Sequence, residues 1–297
     1  MGGCRGWVAL QAERRWRTGR WADMDLNAIT TISRPRSRAE IEPFADGDAW
    51  LAGGTWLFSE PQPRVRRLVD LWACGWAPLR ADDAGLFVAA TCTVATLDAF
   101  EAPAAWTSAQ LIGQCCRAFL ASFKIWNMAT VGGNLCLALP AGPMISLCAA
   151  LDGVCVIWTP EGGERRLSVF DFVQGPQRNA LRPGELLRGI ELPRAALTRR
   201  TAFRRACLTP LGRSGVLLIG ALGADGGFHL NVTASTRRPI RLSFERIPLK
   251  DRLTERIAAE IPTSLYYDDI HGRPDWRRHM TFEFAEEIRA ELSGGER

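Results

Sequence analysis

From residue 29 the chain alternates short apolar runs with segments of helical period. ITTIS (29–33), AWLA (49–52), LVDL (68–71) and GLFVAA (85–90) read as strands, the last entered through the turn residues Asp82, Asp83, Ala84 and Gly85. A short helix is expected over Arg36–Ala45. Residues 93–101 and 107–122 carry a helical period, the second with Leu111, Cys115, Ala118 and Phe119 on one face. Pro143 is expected at the first position of a helix that continues through MISLCAAL (144–151) and ends at Asp152-Gly153. VCVIW (154–158) reads as a buried strand, turned back toward RRLSV by residues 160–164. ELLRGIELP (185–193) is a further strand, stopped by Pro193.

After Pro193 the texture changes. GVLLIGAL (215–222), the turn residues Ala224, Asp225, Gly226 and Gly227, and FHLNVTAS (228–235) form a hairpin signal. Helices are expected over 251–260 and 275–292. In the second, Trp276, Met280, Phe284, Ile288 and Leu292 recur every four residues as one apolar stripe of core or interface. A domain boundary is expected near residue 198, giving a first domain over 24–198 and a second over 199–297.

Length and charge narrow the classes. The 297 residues can bury a core without disulfides, and 47% hydrophobic with 23% charged residues is a globular balance. No apolar run nears the roughly 18 residues of a membrane span. Net charge is +5, and Lys124 and Lys250 are the only lysines among the 37 basic residues. Basic residues interleave with acids, which is no nucleic-acid footprint. The nine cysteines contain no CxxC pair and the three histidines are scattered, so buried reduced thiols in a cytoplasmic protein are expected and a metal centre is not. Residues 1–23 hold Arg5, Arg14, Arg15, Arg17 and Arg20 without the apolar centre of a secretory signal. They read either as a basic amphipathic surface helix or as an extension ahead of a true start at Met24. The second is preferred, because strand-like pattern begins just past Met24.

Two segments carry candidate chemistry: Ala52-Gly53-Gly54-Thr55 and Thr130-Val131-Gly132-Gly133-Asn134. Each places paired glycines after a strand-like run. Glycine lets a backbone approach a ligand closely and turn its N–H groups inward as an anion-binding nest, with Thr55 and Asn134 adding side-chain donors. Two nests suit a diphosphate. Neither fits GxGxxG or GxxxxGK[ST], so a Rossmann or P-loop site is not supported. Alone, either pair reads as an ordinary turn.

The surrounding sequence makes the pair specific. AGGTWLFSEPQ (52–62) with KIWNMATVGGNLCLALPAGPMISLCAALDGV (124–154) resembles the FAD-binding subunit of the molybdenum hydroxylases, the xanthine dehydrogenase and carbon monoxide dehydrogenase family. The family pattern runs AGGT(D/N)L, then IRNxATxGGN, a Ser-Pro turn and an ALDA-like helix end. GPQRNALRPGELLRGIELP (175–193) is similar to its x-T-x-L-x-P-x-E-L segment, and DDIHGRPDWRRHM (268–280) to its YRRHL entry into the last helix. The resemblance covers about 24–292.

It implies an α+β fold: a two-subdomain FAD-binding domain, PCMH-type and non-Rossmann, followed by a small antiparallel sheet with helices. Leu51, Ala52, Gly53, Gly54, Thr55, Trp56 and Leu57, with Thr130, Val131, Gly132, Gly133 and Asn134, would wrap the FAD diphosphate and neighbouring flavin. Leu181 would approach the isoalloxazine ring, and Arg204 falls where relatives often carry a basic residue near it. The flavin would carry the chemistry, with no catalytic side chain needed. Electrons would arrive from iron–sulfur clusters in a small ferredoxin-like partner subunit. Substrate would be hydroxylated in a large molybdopterin subunit, within a heterotrimer. The terminal acceptor (NAD, oxygen or a quinone) stays open. Four positions depart from the pattern: Trp56 for Asp or Asn, Trp126 for Arg, Leu139 for Ser and Pro143 for Asp. Two alternatives therefore stand beside the leading reading: an assembly or scaffold subunit with weakened FAD binding, and a stand-alone flavin oxidoreductase. The latter lacks an evident acid or base, since Tyr266 and Tyr267 are the only tyrosines.

Overall fold

The computed structural model describes residues 28–294. The readings for residues 1–23 lie outside the described residues. Contact density divides the chain into two compact units, one ending at Gly75 and one starting at Trp76.

The first unit is built on three short strands, β1 (Thr31–Ser33), β2 (Asp48–Leu51) and β3 (Arg67–Asp70), in a parallel sheet ordered β1-β3-β2. Leu68 and Val69 of the central strand are buried. Arg67 cross-links the sheet: Nε and Nη2 donate to Asp48 at 2.9 and 2.6 Å. These bonds hold the Asp48 carboxyl below its usual range. Over Arg36–Ala45 the expected helix shrinks to one 3-10 turn, Arg38–Glu40. The segment has no apolar stripe, Pro43 cannot donate, and side chains take the backbone N–H groups that a helix would use. Arg36 N donates to Glu40 Oε2 at 2.9 Å and Ala45 N to Asp48 Oδ2 at 2.6 Å.

The second unit opens with the hairpin β4 (Leu79–Asp82) and β5 (Gly85–Ala89), whose turn is closed by Ala84 N donating to Asp82 Oδ1. Helices α1 (Val94–Asp98), α2 (Gln110–Ala118), α3 (Phe123–Met128), α4 (Val131–Leu137) and α5 (Pro143–Ala150) follow. The Thr93 hydroxyl caps α1 by accepting from Thr96 N. Every residue of α5 is buried, which is why its sequence is apolar all round, and Pro143 stands at its first turn as expected. The hairpin β6 (Val154–Trp158) and β7 (Glu164–Ser168) comes next. It is followed by α6 (Val169–Phe172), the small pair β8 (Val173–Gly175) and β9 (Arg178–Asn179), β10 (Leu186–Pro193) and α7 (Arg194–Leu197). The main sheet is antiparallel in order β4-β5-β10-β6-β7. Its inner face and the helices enclose one apolar core.

The chain then makes a second antiparallel sheet in sequence order: β11 (Arg200–Ala206), β12 (Val216–Leu222), β13 (Phe228–Thr233) and β14 (Ile240–Phe244). The expected hairpin is present, with Leu222 opposite Phe228 and Gly227 N donating to Asp225 Oδ1 at 3.0 Å. Alternation along β12 splits its neighbours. Leu217 and Ile219 join the first core beside α5, whereas Val216 and Leu218 face α8 (Lys250–Glu260) and α9 (Pro274–Leu292) in a separate cluster. Both cores belong to the same compact unit.

In α9 the expected stripe meets the second core: Ile288 and Leu292 are buried in it and Trp276, Met280 and Phe284 pack against it, while Arg277, Thr281 and Ala285 complete the fully buried face. Steps of four overshoot a 3.6-residue turn by about 40° each, so the line crosses the contact obliquely: Trp276, Met280 and Phe284 flank it half-buried and Ile288 and Leu292 lie within it. Cys92, Cys115, Cys116, Cys148 and Cys155 are buried free thiols. Burial pushes Cys92 and Cys148 up to about 12.

Candidate functional site

The first glycine segment leaves β2 at Leu51 and turns through Ala52, Gly53, Gly54, Thr55, Trp56 and Leu57, all half-buried. Alternate carbonyls are engaged: Trp72 Nε1 donates to Ala52 O, Phe58 N to Gly54 O and Ser59 N to Trp56 O, each at 2.9 Å. Its N–H groups are not. Among the described residues, nothing accepts from the N–H groups of Gly53, Gly54, Thr55, Trp56 or Leu57. Backbone donors of a half-buried turn that no protein group takes are available to an anionic group. Gly54 has φ +67°, and a Cβ there would sit 2.5 Å from Phe58 Cε2. The ring beneath the loop thus demands glycine, independent of any ligand.

The second segment corrects its expected form. It follows helix α3, not a strand, and is itself the start of α4. Thr130 is the N-cap, its hydroxyl accepting from Gly133 N at 3.0 Å. Val131 N donates to Cys92 O at 2.8 Å, Gly132 N to Ala90 O at 3.0 Å and Asn134 N to Thr130 O at 3.0 Å. These backbone donors are satisfied inside the protein, so the segment is no open N–H nest. Gly132 has a packing reason: a Cβ there would lie 2.5 Å from Ala90 Cβ, because the helix start presses on the chain leaving β5. Gly133 differs, being exposed, with only Thr130 Oγ1 within reach of an added Cβ, at 2.9 Å. Asn134 Oδ1 accepts from Met144 N at 3.2 Å. The N-cap of α5 is Gly142, which has no side chain, so Asn134 supplies the missing cap.

Leu181 sits half-buried against the first core, just past β9. Its N–H donates to Asn179 Oδ1 at 2.9 Å, and Asn179 Nδ2 donates to Cys136 O in the last turn of α4 at 2.7 Å. The structure therefore ties Leu181 to the helix that begins at Thr130. Arg204 is elsewhere. It lies opposite Leu218 on the α9 face of the second sheet, where Nε and Nη2 pair with Glu287 and Glu291 at 2.5 and 2.7 Å. α5 packs on the other face of that sheet. Strand parity in β11 therefore puts the Arg204 side chain on the sheet face opposite α5.

The two glycine segments belong to different compact units. Of the departures from the family pattern, Trp126 is a packing residue, half-buried on the core with its indole N–H donating to Phe119 O at 2.8 Å. Pro143 is buried at the start of α5. Asn179, Arg165 and Glu185 escaped the residue-by-residue reading. The signal for Asn179 and Glu185 was the family-like run GPQRNALRPGEL around Leu181, and Arg165, outside that run, had none. Among the described residues, no group of three or more His, Cys, Asp or Glu could hold a metal ion. The free N–H groups of 53–57 suit a phosphate-bearing group.

The fold defines the class first. The chain superposes with a TM-score of 0.73 on a chain of reconstituted CO dehydrogenase from Oligotropha carboxidovorans, at 20% identity, covering 88% of this chain and 98% of that one. It superposes with a TM-score of 0.70 on quinoline 2-oxidoreductase from Pseudomonas putida 86, at 21% identity, covering 89% and 96%. These likenesses show the α+β architecture. Family membership comes from sequence. The model for the FAD binding domain in molybdopterin dehydrogenase matches residues 36–195, more than half of the chain, and the chain belongs to that family. It is also similar to caffeine dehydrogenase subunit beta of Pseudomonas sp. strain CBB1, 38% identical over 74 residues, a quarter of each chain. The match thus spans about a quarter of the length of the curated relatives. No helix among the described residues is long and apolar enough to cross a membrane.

Proposed function

We propose that this chain is the FAD-binding electron-transfer subunit of a molybdopterin-dependent hydroxylase or dehydrogenase. In that role it passes electrons from iron–sulfur clusters in a small partner subunit to a terminal acceptor, and a large molybdopterin subunit carries the substrate chemistry. The observation that carries the reading is the family match over 36–195, which contains both glycine segments and Leu181.

When bound, FAD supplies one- and two-electron redox chemistry. The chain's residues hold and shield it. The N–H groups of Gly53 to Leu57 would donate to phosphate oxygens, a preorganised positive end that needs no counter-ion. Gly133 would keep the start of α4 open to close approach, with Asn134 held beside it by Met144 N. Leu181 would cover a flavin face and exclude water. Arg204, paired with two glutamates, takes no part in this assignment.

The test is the absorption spectrum of the purified full chain, with the cofactor identified after denaturation. A band near ~450 nm and released FAD are expected. Co-purification with a ferredoxin-like and a molybdopterin subunit tests the assembly. One observation favours a second reading, an assembly subunit with weakened FAD binding: the N–H groups of Val131 to Asn134 are already engaged. A chain that stays colourless with FAD added, alone and with its neighbouring subunits, would establish that reading and overturn the first.

A further inference from the structure

The segment 179–185 is fastened at both ends by side chains that the proposed function does not use. At one end Asn179 bridges two backbones, donating to Cys136 O of α4 and accepting from Leu181 N. At the other, Glu185 has a side chain only 2% exposed. It receives Arg165 Nε at 3.0 Å, Arg165 Nη2 at 2.5 Å and Arg182 N at 2.8 Å. Arg165 Nη2 also donates to Ala180 O at 2.9 Å. Burial raises the Glu185 carboxyl, but the Arg165 fork and the Arg182 N–H outweigh it and leave it below the usual range.

A bidentate pair with a backbone donor on the same carboxylate fixes both position and orientation. Backbone pairing holds the start of the segment, where Asn179 pairs with Val173 and Ala180 N donates to Phe172 O at 2.9 Å; past it there are two short turns, Leu181 N on Asn179 and Glu185 N on Arg182 O at 3.0 Å. Past Ala180 the ladder does not continue, so these side chains fix the register of Leu181 to Glu185.

We propose that Asn179 and the Glu185–Arg165 pair are positioning residues. They hold Ala180, Leu181 and Arg182 at a fixed register to the helix that starts at Thr130, and so set the surroundings of the flavin face that Leu181 covers. The inference rests on the FAD reading above. Asn179 acts through backbone: its amide bonds both Cys136 O of α4 and Leu181 N. Glu185 acts through Ala180 and Arg182. Neither need touch the cofactor.

The test uses the full-length chain saturated with FAD and compares wild type with N179D and E185Q, both isosteric. N179D keeps the acceptor for Leu181 N and removes the donor to Cys136 O. E185Q keeps the shape and removes the charge that anchors the Arg165 fork. The readouts are the shape of the band near ~450 nm, the flavin midpoint potential and the FAD dissociation constant, with the thermal midpoint as the fold check. Each variant is expected to shift band shape and potential while still binding FAD, about tenfold more weakly. A purely structural role would lower the thermal midpoint and leave the spectrum and potential of the FAD-saturated variant at wild type, and that result overturns the inference. If one variant fails to fold, the other decides. Wild type that takes up no FAD overturns the functional reading and this inference with it, whereas FAD-loaded wild type with unchanged variants overturns this inference alone.

Discussion

Two adjacent glycines at the start of α4 should answer substitution in opposite ways. Gly132→Ala places a Cβ 2.5 Å from Ala90 Cβ, 2.6 Å from Ala90 Cα and 2.7 Å from Ala90 O. Carbon atoms in contact sit about 3.5–4.0 Å apart, so the helix start must retreat by about 1 Å. That retreat strains the bonds from Gly132 N to Ala90 O and Val131 N to Cys92 O. Overpacking costs about 1–3 kcal/mol and each weakened backbone bond about 1 kcal/mol, while alanine's better helix propensity returns about 1 kcal/mol. The expected net loss is about 3 kcal/mol, roughly 6–12 °C in melting temperature for a chain of this size. Gly133→Ala meets only Thr130 Oγ1, the far end of a cap, and should change stability by less than about 1 kcal/mol. Gly133→Val should stay folded and release FAD, since its side chain enters the exposed surface assigned to the cofactor. Urea denaturation of the FAD-free chain separates the cases. Gly132→Ala within about 0.5 kcal/mol of wild type would refute the close approach to Ala90.

Further outcomes are expected elsewhere in the fold. Arg277→Met should destabilise by about 3–5 kcal/mol in urea melts, because the buried guanidinium serves Gly272 O, Gly215 O, Ala234 O and Asp269 at once. A loss below about 1 kcal/mol would contradict that network. Iodoacetamide labelling of the native chain, read by mass spectrometry, should spare Cys92, Cys115, Cys116, Cys148 and Cys155, whose thiols are buried. Rapid native labelling at Cys148 would show that the core opens. Asp48 has a folded pKa below its unfolded value of about 4, so its contribution is complete above that value and lost as pH falls through the folded pKa. Asp48→Asn should therefore flatten the acid limb of a melting-temperature profile, and an unchanged limb would remove Asp48 from the account.

Several elements followed from local chemistry alone. The β12–β13 hairpin was legible because alternating apolar residues flank a turn that glycine and aspartate favour in any context. The start of α5 was legible because proline fits the first helical turn and few other places. The family resemblance rested on order and spacing of short motifs, and family membership agrees with it.

What tertiary structure decided is of another kind. Thr130–Asn134 read as a loop because glycine is a poor helix former, yet packing against Ala90 needs a helix whose first turn has no side chain there. Residues 200–206 carried no strand reading, so neither the face that Arg204 takes in β11 nor its glutamate partners on α9 could be seen in the sequence. The Asn179 bridge joins residues 43 positions apart and the Glu185–Arg165 pair residues 20 apart, with no local pattern to show either. The 52–55 and 130–134 segments look alike in sequence, and only the acceptors folded against them leave the N–H groups unmet in the first and engaged in the second. Local sequence sets which conformations a segment can adopt. The acceptors and neighbours that distant segments bring decide which groups remain for a ligand.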